Sequence, residues 1–256
     1  MFRRAIVRPP APNFADGLTT VDLGAPDVAK ALAQYDRYCE ALERCGLELV
    51  RLLADPRHPD STFVEDTAIL TPNGAVLTRP GAPSREGEVA AIEESISWFF
   101  PDPARIEAPG TVDGGDICEA GTHFFIGLSE RTNEAGARQL AAHLHRMGFT
   151  SETVDIRGVA GILHLKSGIA ALDEGRLVVI DALAAHPAFR GYELVRVDPA
   201  ENYAANCVRV NDAVLVAAGY PKFESSVRAL GLTTIALDMS EFAKMDGGLS
   251  CLSLRF

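Results

Sequence analysis

The feature that most constrains this chain is a unit repeated along it: an apolar strand, a tight turn, a second apolar strand, a loop and a helix. The clearest copy runs from Thr67-Ala68-Ile69-Leu70 through the turn Asn73-Gly74 into Ala75-Val76-Leu77-Thr78. It continues through the loop Arg79 to Arg85 into a helix from Glu86 to Trp98. Asn-Gly between apolar runs is a strong hairpin signal, because both residues accept the positive φ such turns require. The same order recurs with Asp116-Ile117-Cys118, a turn near Gly121, Phe124-Phe125-Ile126-Gly127, and a helix from Asn133 to Met147 that stops at Gly148. A further copy pairs Gly168-Ile169-Ala170-Ala171-Leu172 with Leu177-Val178-Val179-Ile180 across Glu174-Gly175. Another pairs Val208-Arg209-Val210 with Ala213-Val214-Leu215-Val216-Ala217 across Asn211-Asp212.

Four hairpins are thus complete, and a fifth is split between the ends of the sequence. Cys251-Leu252-Ser253-Leu254 is the natural partner of Ala5-Ile6-Val7, which leads into a helix from Asp27 to Cys45. Strands with exposed edges gain from being tied into a ring. The expectation is an α/β fold, a five-bladed α/β propeller whose first blade is closed by the two termini. An open α/β sandwich with similar hairpins satisfies the same pattern. At 256 residues, with no linker or low-complexity stretch, one domain over residues 1–256 is expected.

Composition narrows the function. No apolar run reaches the roughly 18 residues of a membrane span, and the basic Met1-Phe2-Arg3-Arg4 is followed by too short an apolar stretch for a secretion signal. Cys39, Cys45, Cys118, Cys207 and Cys251 are odd in number and form no CxxC pair, which fits a reducing cytoplasm and argues against disulfides or a zinc ribbon. A formal charge of −11 argues against nucleic acid and favours a small cationic partner. Monomer and homodimer both remain open.

Candidate chemistry lies just before the first strand of each unit, where a ring would bring the chain to its axis. The segments are Phe63-Val64-Glu65-Asp66, Val112-Asp113-Gly114-Gly115-Asp116, Leu163-His164-Leu165-Lys166-Ser167, Asn202-Tyr203-Ala204-Ala205-Asn206 and Met245-Asp246-Gly247-Gly248-Leu249-Ser250-Cys251. Carboxylates, a histidine and a cysteine occupy equivalent places, and a thiolate nucleophile with an acid/base partner needs that set. Taken singly, each piece has a plainer reading. Cys39, Cys45, Cys118 and Cys207 read as small buried hydrophobes. His58, His123, His143, His145 and His186 lack a partner motif, His164 alone suits a hydrogen-bonded core histidine, and Asp-Gly-Gly-Asp suits a turn. Cys251 stands apart because a Gly-Gly turn precedes it and lets the backbone approach a ligand.

Together with Gly127-Leu128-Ser129-Glu130-Arg131-Thr132-Asn133, these segments resemble the dimethylarginine dimethylaminohydrolases of the pentein superfamily, in order, from Ala5 to Leu254. The resemblance implies the same five-bladed fold and a hydrolase that converts methylated arginine to citrulline without metal or organic cofactor. It implies Cys251 as nucleophile, His164 as general acid and base, and Asp113 as the acid that orients the guanidinium. Phe63, Asp60, Glu65 and Asp66 would line the cationic end, and Arg85 and Arg131 would hold the substrate carboxylate. Leu18 and Met245 would offer backbone carbonyls to the α-amine. Arginine deiminase chemistry on unmethylated arginine is the nearest alternative, although those enzymes are longer. A non-enzymatic pentein that binds a partner by its surface is the alternative from another class.

Overall fold

Where the sequence puts Asn-Gly or Asn-Asp between apolar runs, the backbone turns back on itself, with φ of 150° at Gly74 and 52° at Asn211. The computed structural model describes residues 1–256. In chain order it contains β1 (Arg4–Val7), α1 (Val28–Arg44), β2 (Glu48–Arg51), β3 (Ala68–Thr71), β4 (Gly74–Leu77), α2 (Glu86–Ser97) and β5 (Ala104–Arg105). There follow β6 (Ile117–Ala120), β7 (His123–Leu128), α3 (Glu134–Arg146), β8 (Thr150–Asp155), β9 (Ile169–Ala171), β10 (Arg176–Val179) and β11 (Glu193–Arg196). The last elements are β12 (Val208–Val210), β13 (Ala213–Ala217), α4 (Pro221–Ala229), β14 (Thr233–Leu237), α5 (Ser240–Ala243) and β15 (Leu254–Arg255).

The strands form five three-stranded sheets of one plan. The second strand of each hairpin is central, antiparallel to the first and parallel to a third strand that follows the crossover. The split unit obeys the plan too. There β1 is central, antiparallel to β15 with Ile6 opposite Leu254, and parallel to β2. A parallel neighbour requires a crossover long enough to reverse the chain, and α1 to α4 supply it in four units. The fourth crossover carries only a 3-10 turn, Pro187–Phe189, because proline lacks the N–H to continue a helix and disfavours helical backbone at His186.

Two differences from the sequence expectations have physical causes. The repeat as read contains no third strand, since β2, β5, β8, β11 and β14 are half-exposed edges with interleaved charges. Cys251 is not in a strand. It lies in a 3-10 turn, Ser250–Leu252, and pairing begins only at Leu254.

Central strands bury both faces, which explains their near-continuous apolar runs. Val214 and Val216 of β13 join the cluster of the third to fifth units, whereas Leu215 and Ala217 join the cluster shared with α1. In β1, Ala5 and Val7 face that second cluster and Ile6 faces Val64, Leu77 and Ile92. In β7, Phe124 and Ile126 face Ile69 and Val76 while Phe125 faces the fourth unit. Each unit therefore packs on the next, and the fifth packs on the first, an arrangement no two-layer sandwich has. The 3-10 turns Val64–Thr67, Gly114–Asp116, Leu165–Ser167 and Pro199–Ala205 pack in succession beside the first strands, and the turn holding Cys251 packs on the first of them.

Asn211 seals the junction of fifth and first units. Its side chain accepts from the Phe2 N–H at 2.8 Å and donates to the carbonyls of Phe2 at 3.0 Å and Cys45 at 2.9 Å. Asn211→Ala removes three hydrogen bonds and leaves a Cβ residue at positive φ, so a loss of about 2–4 kcal/mol is expected in urea unfolding. Asn211→Gly should lose less, because only the backbone strain is relieved. Equal stability of all three proteins would contradict this role.

Candidate active site

The two glycine pairs of the sequence are explained by close approach. A Cβ on Gly114 would fall 1.9 Å from the Glu65 carbonyl oxygen, and one on Gly115 would fall 2.7 Å from Nδ1 of His164. The Asp-Gly-Gly-Asp segment is therefore the seat against which the Phe63–Asp66 segment and the histidine pack. A Cβ on Gly247 would fall 2.3 Å from the Phe63 ring and one on Gly248 would fall 2.6 Å from the Asn206 side chain. These approaches gather residues distant in sequence around one cleft, lined by Leu18, Asp60, Phe63, Asp66, Arg85, Arg131, Leu163, His164, Met245, Asp246, Gly247 and Cys251.

Asp66 is the carboxylate of this cleft. One oxygen accepts the Gly115 N–H at 2.7 Å and the other accepts Nη1 of Arg85 at 2.6 Å. Burial pushes its pKa up, but Arg85, His164 and these hydrogen bonds outweigh that and hold it at about 2. Asp60 accepts the Leu18 N–H at 3.1 and 3.2 Å, and burial raises its pKa against the pull of Arg85. Gly17 is required there, since a Cβ would fall 2.4 Å from the Asp60 carboxylate.

His164 and Cys251 both hold their protons more tightly than free side chains do. For His164, burial lowers the pKa, but Asp66, the hydrogen bond to Asp113 and the further charge of Asp116 raise it to about 9. For Cys251, burial, Glu65 and Asp66 push the thiol up to about 12, against a hydrogen bond from Gly248 and the charge of Lys166. Near neutral pH the resting site therefore holds an imidazolium and a protonated thiol.

Nine of the eleven expected site residues line the cleft, Asp113 lies behind it, and Glu65 is elsewhere. Glu65 faces away from the cleft. Its carboxylate accepts the Ser250 hydroxyl at 2.7 Å and pairs with Lys166 at 2.5 Å and Arg255 at 3.5 Å. A 3-10 turn alternates its side chains, so Glu65 and its neighbour Asp66 point to different sides. Asp113 stands behind the histidine, not in the cleft wall. Its Oδ2 lies 3.0 Å from Nε2 of His164 while Oδ1 accepts the Gly81 N–H at 2.7 Å, so it is placed to orient the ring. Arg85 is buried and largely committed, donating to Asp66, to Glu88 at 2.8 and 3.0 Å, and to the Phe63 carbonyl at 3.1 Å. Arg131 is less encumbered, with Asp113 3.6 Å away. Leu18 is present through its N–H as well as its carbonyl edge, and Met245 packs beneath it against Gly17.

Leu163 and Asp246 belong to the cleft and were not singled out, although both lie in the segments that precede first strands. Asp246, at φ 56°, accepts the Thr20 N–H at 2.5 Å and hydroxyl at 3.1 Å, and so ties the loop after Gly17 to the cleft rim. The oxygens of Asp66 and Asp113 and a ring nitrogen of His164 lie within 4.8 Å of one another, a set of metal-ligand type. Both carboxylates also accept hydrogen bonds, Asp66 from Arg85 and Gly115 and Asp113 from Gly81.

Comparisons with known proteins agree with this geometry. Residues 49–197 match the arginine deiminase family model. The chain is 46% identical, over the full length of both, to the N(G),N(G)-dimethylarginine dimethylaminohydrolase of Pseudomonas aeruginosa. Two solved structures superpose with TM-scores of 0.97 at 45% identity, each covered completely. One is that Pseudomonas aeruginosa enzyme with a cysteine replaced by serine, in complex with citrulline. The other is a dimethylarginine dimethylaminohydrolase with a histidine replaced by glycine, as an adduct with S-methyl-L-thiocitrulline.

The charge of His164 also sets a pH dependence of stability. An unfolded histidine titrates near 6.5 and the folded one near 9, so the folded state holds the proton more tightly. The resulting stabilisation is complete below the unfolded value and is lost as pH rises through the folded one. The unfolding free energy of wild type relative to His164→Asn is expected to be larger at about pH 6 than at about pH 9.5 in urea titrations. A difference that grows with pH would reverse the assignment.

Proposed function

The chain belongs to the arginine deiminase family and, within it, to the dimethylarginine dimethylaminohydrolases, and from that premise we propose which residues carry out its reaction. It is a hydrolase that converts Nω-methylated arginine to citrulline and a methylamine. The observation that carries the residue roles is the meeting of Cys251, His164 and the ionised Asp66 in one cleft, with Asp113 behind the histidine.

A guanidinium is planar, cationic and a poor electrophile, so it must be fixed before a sulfur can reach its carbon. Asp66 accepts its N–H groups and is held ionised by Arg85, while Arg131 pairs with the substrate carboxylate at the other end. The carbonyls of Leu18 and Met245 receive the α-amine beside Asp60. Phe63 packs along the rim.

The bound cation does more than dock. The thiol of Cys251 is held up by burial, Glu65 and Asp66, and a positive charge beside it offsets the carboxylate field, so that the thiol gives its proton to solvent and becomes thiolate. The thiolate attacks the guanidinium carbon to give a neutral tetrahedral adduct. His164, charged in the resting site, gives its proton to the departing methylamine, and the C–N bond breaks to leave a cationic thiouronium on Cys251. The neutral imidazole then takes a proton from water, whose oxygen adds to the same carbon. Collapse of this second adduct breaks the C–S bond and passes its hydroxyl proton to the departing sulfur, which releases citrulline and restores the Cys251 thiol beside a charged His164. Asp113 keeps the ring oriented and stabilises its charged form, the part a carboxylate plays behind a catalytic histidine.

The same reading takes the five sheets as blades of an α/β propeller and residues 1–256 as one catalytic domain, supported by the unit-on-unit packing. Five free cysteines support a cytoplasmic site of action, and the acidic surface supports a partner that is a small cation and not nucleic acid. No helix is long and apolar enough to cross a membrane.

Cys251→Ser should keep the fold and lose citrulline formation from dimethylarginine, because the change removes the thiolate with little change in volume. Citrulline production near the wild-type rate would sink the mechanism. Run beside arginine, the same assay should show dimethylarginine preferred; a preference for arginine would favour deiminase chemistry. Arg131→Ala should raise KM about 10–100-fold with a smaller effect on kcat, since it grips the part of the substrate that does not react. Equal turnover by wild type of methylguanidines lacking a carboxylate would remove that role.

A further inference from the structure

Nucleophile and general acid sit on separate turns, from the first and fourth units, and something must set the distance between them. The fifth unit lies between those two in the succession of packing, and it presents one buried amide to both. Asn206 follows the 3-10 turn Pro199–Ala205 and is 7% exposed. Its Nδ2 donates to the carbonyl of Lys166 at 3.0 Å and to Oγ of Ser250 at 3.1 Å, and its Oδ1 accepts the Ser250 N–H at 2.9 Å. Lys166 lies in the turn that follows His164, closed by the Ser167 N–H to the His164 carbonyl at 3.0 Å. Ser250 immediately precedes Cys251. The side chain also fills the space a Cβ at Gly248 would take, and Tyr203 of the same turn donates to the Gly247 carbonyl at 2.8 Å.

We infer that Asn206 is a positioning residue that fixes Cys251 relative to His164 by bridging the two turns that carry them. An amide is suited to this because it donates on one side and accepts on the other. Buried bridging groups of this kind are rigid when every atom is satisfied, as both polar atoms of Asn206 are. The inference rests on the assignment of Cys251 and His164 above. Asn206 touches no reacting atom, so its loss should leave substrate binding alone and slow the chemistry.

The test compares Asn206→Ala and Asn206→Asp with wild type by citrulline formation from dimethylarginine, per active site titrated, across the pH range. Asn206→Asp keeps the shape and the bond from Ser250 N–H and loses both donations, so it reports even if the alanine variant does not fold. Expected is a fall in kcat of about 30–100-fold, the scale of an ångström-sized misplacement, with KM within about threefold. The fall in the aspartate variant should persist at every pH, because misplacement does not titrate. Alkylation of Cys251 by iodoacetamide at high pH should stay within about threefold of wild type in the same proteins, showing an intact and accessible thiol. A kcat per active site within about threefold of wild type overturns the inference. So does full recovery of the aspartate variant at high pH, which would make its defect one of charge alone. Activity in Cys251→Ser, by contrast, would count against the underlying mechanism and not against Asn206 alone.

Discussion

The cleft depends on one buried cation. Arg85 is set between Asp66 and Glu88, both buried, and also meets the Phe63 carbonyl. In a low-dielectric interior two neighbouring carboxylates resist joint ionisation, and one would take up a proton without a counter-charge. Burial already raises the pKa of Glu88, and the nearby Asp60 and Asp66 add to that push. With Arg85 in place Asp66 stays ionised, and because it stays ionised it raises the pKa of His164 and opposes loss of the Cys251 proton. The pKa values of His164 and Cys251 are thus downstream of one buried arginine.

This arrangement gives the resting molecule a definite electrostatic character. The cleft sets the carboxylates of Asp60, Asp66 and Asp246 against Arg85, Arg131 and the charged His164, and it carries one mobile proton on the histidine and another on the sulfur. A cation bound beside Cys251 would offset the carboxylates that hold the proton on its sulfur.

Much of the fold was legible because hairpin turns and central strands carry strong local signals. Asn73-Gly74 and Asn211-Asp212 marked turns, α1 to α3 fell within a few residues of their expected bounds, and Asp27 and Asn133 cap α1 and α3 with side-chain hydrogen bonds. Third strands were hidden by their mixed exposure, though a trace exists. Glu-Leu-Val-Arg occurs at both 48–51 and 193–196, and in each case the glutamate pairs with the arginine opening the central strand, Arg4 at 3.0 Å and Arg176 at 3.1 Å. At the site, residue identities were readable and orientations were not. Asp66 and Glu65 are neighbours in sequence, yet one faces the cleft and the other an ion pair with Lys166, a distinction set by the turn's backbone. The bridging part of Asn206 was invisible for another reason: a lone asparagine before a strand has no signature until its partners are known.

The first sheet is completed by β15, which pairs with β1 only after every other unit has been laid down. Cys251 comes later in the chain than His164, Asp66 and Asp113. During synthesis, then, the acid, its carboxylate and the cationic site can all assemble while the sulfur is still unmade or unplaced, and the seam beside β1 remains open. The sulfur and the closing strand arrive together, at the last stage of the chain.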